Sequence, residues 1–155
     1  MKNQLEFGIQ TNGIKHTHLD PMPQIDKRFS MVEDASIFDY VDKTPEIEEI
    51  DLFLKASKKY KIPIKAGGWF YTIGEHKNLL KQNLKTAQSL GSKIHNTQIQ
   101  SLNSDGNLVS NVEVRDVYLE AYDIGLKLGV TPCFEVHVNM WSEDFLRVVE
   151  VGNLV

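Results

Sequence analysis

Cysteine is almost absent from this chain of 155 residues, since Cys133 is its single cysteine. No internal disulfide can form, and the apolar segment around Cys133 favours a packed residue over a nucleophile. No run approaches the ~20 apolar residues of a membrane span, and the first four residues lack the apolar region of a signal peptide. These absences predict a soluble, cytoplasmic protein without a membrane partner.

Basic charge and nucleotide-binding signatures are also scarce. The chain has 17 basic and 21 acidic residues, a formal net charge of −4, and its basic residues are scattered. A nucleic-acid surface needs a basic stripe, so no nucleic-acid partner is expected. Gly8 and Gly13 lack the G-x-G-x-x-G spacing, and no P-loop sequence occurs, which lowers the expectation of a nucleotide ligand.

The hydrophobic pattern predicts strands that alternate with helices along the whole chain. The predicted strands are residues 5–10, 37–41, 62–66, 93–100 and 131–139. The predicted helices are residues 24–36, 44–60, 75–90 and 112–128, followed by a last helix capped at 142–144. Thr44 is the predicted N-cap of the second helix, while Gly91 and Gly129 end the third and fourth. This order indicates a parallel sheet with right-handed crossovers.

The polarity of the strands favours a barrel over an open doubly wound sheet, which begins with the same order of elements. Strands buried on both faces read as continuous apolar runs, whereas residues 134–139 alternate apolar with polar side chains. Barrel strands turn one face to the helices and the other to the lumen, which is the active-site floor near their C-terminal ends. We therefore predict one α/β domain, residues 1–155, built as a partial (β/α)₈ barrel of about five parallel strands.

Glu135 and His137 are the strongest candidates for chemistry. They stand two positions apart in the last predicted strand, so their side chains would project to the same side, ~7 Å apart. A carboxylate beside an imidazole suits a divalent metal or acid–base work. The alternative is a half-exposed strand whose polar face meets only water.

Three further residues could line the same site. His95, in the fourth predicted strand, could face the cavity or could be a hydrogen-bonded core histidine. Trp69, after Gly67 and Gly68, and Trp141, after the fifth strand, could form apolar walls for a sugar face; packed tryptophans at turns are the alternative. The two imidazole side chains at positions 16 and 18 could bind a metal ion together. For such a pair in a loop, exposure to solvent without a metal is more common.

The segment from Phe134 to Phe145, FEVHVNMWSEDF, resembles the xylose isomerase-like TIM barrels, the sugar-phosphate isomerase/epimerase group. The opening FGIQTNG at 7–13 is similar to their first strand, and the order of units resembles the first five of their eight. This resemblance implies a divalent metal (Mn, Mg, Co or Zn) and a role for Glu135 as both ligand and acid–base residue. It also implies that the other ligands come from later strands, so that the metal site in this chain is incomplete.

The leading hypothesis is therefore a metal-dependent sugar or sugar-phosphate isomerase/epimerase-like protein that is weakly active or inactive as the isolated chain. Glu135 would be catalytic, and Trp69, His95, His137 and Trp141 would contact the sugar. A non-catalytic or oligomeric binding module is the alternative, with a second copy or a partner chain covering the open sheet edges. A metal-dependent hydrolase or abasic-site endonuclease on the same barrel is the second alternative.

Overall fold

A computed structural model describes residues 5–11, 14, 22–65 and 67–155, and it divides into two compact units, Met1–Gly67 and Gly68–Val155. Each unit is an α/β structure with a three-stranded parallel sheet. Among the described helices, none combines the length and the apolarity needed to cross a membrane. The predicted alternation of parallel strands and helices is confirmed.

The first unit orders its strands β1-β2-β3. These strands are β1 (Gly8–Gln10), β2 (Tyr40–Asp42) and β3 (Ile64–Lys65). Its helices are α1 (Ile25–Ala35) and α2 (Ile50–Tyr60), the latter preceded by a 3₁₀ turn at Ile47–Glu49. The aromatic rings of Phe29 and Phe53 are fully buried and meet edge to face, with ring centroids 5.9 Å apart. This contact joins α1 to α2.

The second unit orders its strands β4-β5-β6. These strands are β4 (Gly68–Tyr71), β5 (Ile94–Ile99) and β6 (Thr131–Phe134). Its helices are α3 (His76–Ser89), α4 (Asn111–Leu128) and α5 (Phe145–Gly152), with a 3₁₀ turn at Trp141–Glu143 before α5. All its strand pairs are parallel, and β5 lies in the middle of the sheet.

Strand register gives the second sheet two distinct faces, because successive side chains point to opposite sides. The helix face packs against α3, α4 and α5, and it includes Tyr71, Ile99 and Phe134. The polar face carries Phe70 opposite Gln98, and Asn96 opposite Cys133. The core on the helix face is closed by fully buried side chains of the helices, namely Leu80, Leu84 and Val114.

The predicted ends of α3 and α4 are confirmed by their backbone geometry. Gly91 and Gly129 both have positive φ, 78° and 67°, which glycine adopts without a Cβ penalty. After α3, the Gly91 N–H donates to the carbonyl of Gln88, which satisfies one of the last carbonyls of the helix. At the start of α4, Ser110 and Glu113 form a capping box that the sequence reading did not identify.

Three predicted boundaries were wrong. The second helix begins at the 3₁₀ turn Ile47–Glu49, so Thr44 is not its N-cap. The third predicted strand was to end at the glycines 67 and 68, but a separate strand, β4, begins at Gly68, and the described part of the chain therefore has six strands. The last strand ends at Phe134 and not at Asn139, because the chain turns there, with Asn139 at a positive φ of 62°.

A buried polar network links the sheet to α3. The Tyr71 hydroxyl lies 2.6 Å from Nε2 of His95 and accepts a hydrogen bond of 3.0 Å from Nδ2 of Asn83. The direction of the Tyr71–His95 bond depends on the imidazole tautomer, because the phenol hydroxyl can both donate and accept. Burial lowers the pKa of His95 from 6.5 to about 4, and burial also raises the pKa of Tyr71.

His95 should therefore make stability depend on pH. The folded protein resists protonation of His95 down to about pH 4, whereas the unfolded chain takes up the proton near its ordinary pKa of 6.5. The contribution is fully present above pH 6.5 and is lost as pH falls toward 4, by about 3 kcal/mol. Urea unfolding of the wild type and of His95→Gln between pH 7 and pH 4.5 measures this difference in slope.

The variant His137→Gln is the matched control, because His137 is only half-buried. We expect it to keep the wild-type slope, whereas His95→Gln flattens it. An unchanged slope in His95→Gln would show that His95 does not account for the acid sensitivity.

Candidate functional site

The candidate site lies where β5 and β6 end, on the polar face of the second sheet. Glu135 is the first residue after β6, and its N–H donates to the carbonyl of Thr97 over 3.2 Å. This bond continues the strand ladder by one residue and places Glu135 beside the next polar-face residue of β5, Gln98. The position at the C-terminal end of a parallel strand is where α/β barrels assemble their active sites.

The side chain of Gln98 holds the carboxylate of Glu135. Its Nε2 donates a hydrogen bond of 2.6 Å to Oε2 of Glu135. The other carboxylate oxygen, Oε1, accepts no hydrogen bond from the residues that the structure describes. One oxygen is thus fixed by an amide, while the second is left for a ligand or a proton.

The backbone of Glu135 is fixed separately, by Ser142. The buried hydroxyl of Ser142 donates to the carbonyl of Glu135 over 2.6 Å and accepts from the N–H of His137 over 3.3 Å. Further along the turn, the N–H of Asn139 donates to Oε2 of Glu143. The segment after β6 is therefore a hydrogen-bonded turn rather than an extended strand.

His137 lies at the same end of the sheet but makes different contacts from those predicted. Its Nδ1 is 2.8 Å from the carbonyl of Val138, which identifies Nδ1 as the donor. Its ring meets the ring of Phe70 edge to face, with centroids 5.8 Å apart. No hydrogen bond joins it to the Glu135 carboxylate in the described structure. Its contact with a sugar remains a prediction.

The other three predicted site residues lie on the helix face. His95 is fully buried and bonds Tyr71, and Trp69 packs against the core beside Thr97. Trp141 is 2% exposed, with its ring 6.0 Å from that of Phe134. These are the packed-core arrangements that the sequence offered as alternatives, and they do not bring the three residues together with Glu135.

The sequence did not identify the two side chains that hydrogen-bond Glu135, which are those of Gln98 and Ser142. A signal for Gln98 was present, because polar residues recur every second position at 96, 98 and 100. In a parallel sheet, that row lies beside the polar row of the next strand. No comparable signal marks Ser142, since its partners are backbone groups of a turn.

The described residues do not by themselves fit the divalent metal that the family resemblance implies. They contain no group of three His, Cys, Asp or Glu side chains placed to hold a cation, whereas catalytic metals usually take about three protein ligands. Glu135 offers one free oxygen. The imidazoles at 16 and 18, considered above as metal ligands, lie outside the described residues.

Comparison with known proteins finds similarity at the level of structure. No protein-family model and no curated protein matches the sequence. Among similar solved structures, D-allulose 3-epimerase from Methylomonas sp. in complex with D-allulose has a TM-score of 0.70 at 13% identity, over 96% of this chain and 59% of that one. The IolI protein with a bound zinc atom has a TM-score of 0.68 at 15% identity, over 97% and 59%.

A third similar structure is an AP endonuclease, family 2, from Brucella melitensis, with a TM-score of 0.64 at 12% identity over 94% of this chain and 64% of that one. The chain spans about six tenths of the length of these structures. At such low identity the likeness shows the fold alone. The chain therefore has the fold of part of the TIM barrel that these solved structures share.

Proposed function

We propose that this chain belongs to a sugar or sugar-phosphate isomerase/epimerase-like barrel in which Glu135 is the acid–base residue. The observation that supports this most directly is the hydrogen bond of Gln98 to one oxygen of Glu135, with the other oxygen free. This carboxylate stands at the C-terminal end of a parallel strand, on the sheet face opposite the helices. A general base needs such a fixed carboxylate with one accessible oxygen.

The proposed substrate class is a ketose or its phosphate. It draws support from the D-allulose 3-epimerase structure, which shares the fold and was determined with D-allulose. The exposed ring of Phe70 and the polar side chains around Glu135 match the amphipathic surface of a sugar. Substrate contact by His95 and Trp141 would require them to leave the core, and Trp69 is partly buried on the helix face, so we assign no substrate contact to the three.

The proposed reaction is proton transfer at a carbon next to a carbonyl group. Glu135 would take the proton on Oε1 and return it, while Gln98 keeps Oε2 in place. The described residues supply one possible ligand to a divalent cation, so no step is assigned to a metal. We expect weak turnover from the 155 residues alone, because the fold shared with the larger barrels is only partly represented.

The proton transfer can be tested by solvent exchange. In D₂O, the protein should catalyse slow loss of the proton NMR signal of the hydrogen on the carbon next to the carbonyl of D-allulose. Glu135→Gln should lower this exchange at least ~100-fold, because a positioned general base contributes ~10²–10⁴-fold. The exposed carboxylate variant Glu33→Gln should exchange at the wild-type rate. Exchange that persists in Glu135→Gln would disprove the assignment of the base.

Metal binding provides an independent test of Glu135 as a ligand. Calorimetric titration with Mn²⁺ or Zn²⁺ should show weak binding that Glu135→Ala weakens further, because a single carboxylate holds a divalent cation poorly. If the wild type binds the metal ion tightly and Glu135→Ala does not, ligands outside the residues that the structure describes must complete the site. Tight, stoichiometric binding that is unaffected by Glu135→Ala would refute the metal role.

A non-catalytic, self-associating module is the second candidate, favoured by the apolar surface beside β6. Among the strands that the structure describes, β6 pairs with β5 alone, on one edge. Next to it, a groove of about 570 Å³ is lined mainly by apolar side chains of β6 and α5, including Phe134, Val148 and Val151. Exposed apolar side chains continue along α5 at Leu146 and Val149. An unpaired edge beside apolar surface favours association with another chain.

Solution mass distinguishes this candidate. If a second copy covers the groove, light scattering should give at least a dimer, and Val149→Lys should shift the mass toward the monomer by placing a charge on the apolar surface. The matched control is Val112→Lys, because Val112 is also half-exposed and begins another helix, α4. A stable wild-type monomer would rule out self-association.

The hydrolase or abasic-site endonuclease alternative has one supporting observation, the shared fold of the Brucella melitensis AP endonuclease. The net charge of −4 opposes it, because DNA binding depends on neutralising phosphates with basic side chains. We therefore favour a small-molecule sugar over DNA as the substrate.

A further inference from the structure

Only one of the two polar atoms of the Gln98 amide forms a hydrogen bond with the residues that the structure describes. Its Nε2 donates to Glu135, whereas its Oε1 is buried without a hydrogen-bond partner among the residues that the structure describes. The side chain is 6% exposed, so this oxygen is removed from water. A buried acceptor without a partner lowers the stability of the fold. The stability of the fold therefore does not explain why a glutamine occupies position 98.

The one bond that Gln98 does make is directed at a charged group. A 2.6 Å contact between an amide N–H and a carboxylate oxygen is a charge-assisted hydrogen bond, which is shorter and stronger than a neutral one. Its donor stands on β5, whose backbone pairs with strands on both edges. The amide therefore belongs to β5, the central strand, which is hydrogen-bonded to a neighbouring strand on each edge.

The neighbouring strand leaves space for this amide. Gly68 of β4 lies opposite Asn96, and a Cβ at Gly68 would come within 3.0 Å of the Asn96 Cβ and 3.6 Å of Nε2 of Gln98. A side chain here would crowd Asn96 and would lie in van der Waals contact with the Gln98 amide. The absence of a side chain at position 68 permits the close approach of β4 to this part of β5.

We propose that Gln98 is a positioning residue for Glu135, and that it selects which carboxylate oxygen reacts. By holding Oε2, the amide turns Oε1 toward the position where a substrate proton would be transferred. The bond also limits the rotation of the Glu135 side chain, so the base is already oriented before a ligand arrives. This inference rests on the proposed role of Glu135 as the acid–base residue.

The variant Gln98→Met tests the proposal, because methionine has a similar length and volume but no amide. We expect the maximal exchange rate of D-allulose, kcat, to fall 10–100-fold, the range for losing a residue that orients a catalytic group. KM should stay the same, because Gln98 acts through Glu135 and not on the sugar. The melting temperature should stay the same or rise, because the buried unpaired oxygen is gone.

Asn96→Met is the matched control. Asn96 lies on the same face of the same strand, two residues earlier, and makes no hydrogen bond to Glu135. It should retain the wild-type exchange rate. A crystal structure of Gln98→Met should show the Glu135 carboxylate displaced or in several rotamers, whereas the structure of Asn96→Met should show it as in the wild type.

Two outcomes would overturn the proposal. In the first, Gln98→Met and the second variant Gln98→Leu both lose the fold or much of their melting temperature, which would make Gln98 a structural residue. In the second, the Glu135 carboxylate keeps one position in Gln98→Met and the exchange rate is unchanged. If the wild type catalyses no exchange, yet the carboxylate moves in Gln98→Met, the proposed function fails while the positioning role holds.

Discussion

The pairing of β5 with strands on both of its edges is the constraint on which the second unit depends. Because this strand is held from both sides, its alternating side chains reach opposite faces with little freedom. His95, Thr97 and Ile99 enter the core against the helices, where each is at most 2% exposed. Gln98 enters the polar face and meets Glu135. One strand thus fixes both the core and the candidate site.

The site itself is a carboxylate held at two points. Ser142 fixes the backbone of Glu135, and Gln98 fixes one oxygen of its side chain. This arrangement orients a carboxylate, while the residues that the structure describes do not supply a full set of metal ligands. Among the described strands, β6 is paired on one edge, and α5 has exposed apolar side chains at Phe145, Leu146 and Val149. In the comparison, the chain spans about six tenths of the length of the similar solved structures.

Local signals predicted the helices well and the strand ends poorly. Gly91 and Gly129 end their helices as expected, since left-handed backbone at a helix end depends on one residue. The alternation of apolar and polar residues predicted a last strand that reaches Asn139, because such a pattern contains no information about where the backbone pairing of two strands ends. The structure ends that strand at Phe134, where its ladder with β5 stops and Ser142 bonds the turn. The tryptophans show the same limit, since an aromatic residue near a strand end can face either side.

The sequence by itself determined the α/β class, the parallel order of the elements and the glycine-terminated ends of α3 and α4, and it singled out Glu135 as a candidate. These follow from periodicity, from glycine and from the chemistry of single residues, all of which act over a few positions. Only the tertiary structure decided that Gln98 bonds the side chain of Glu135, that His95 and Trp141 are buried, and that Trp69 packs partly buried against the core. Those assignments depend on the register between strands that are about 30 residues apart in sequence, and a change of one residue in that register would exchange the two faces of the sheet.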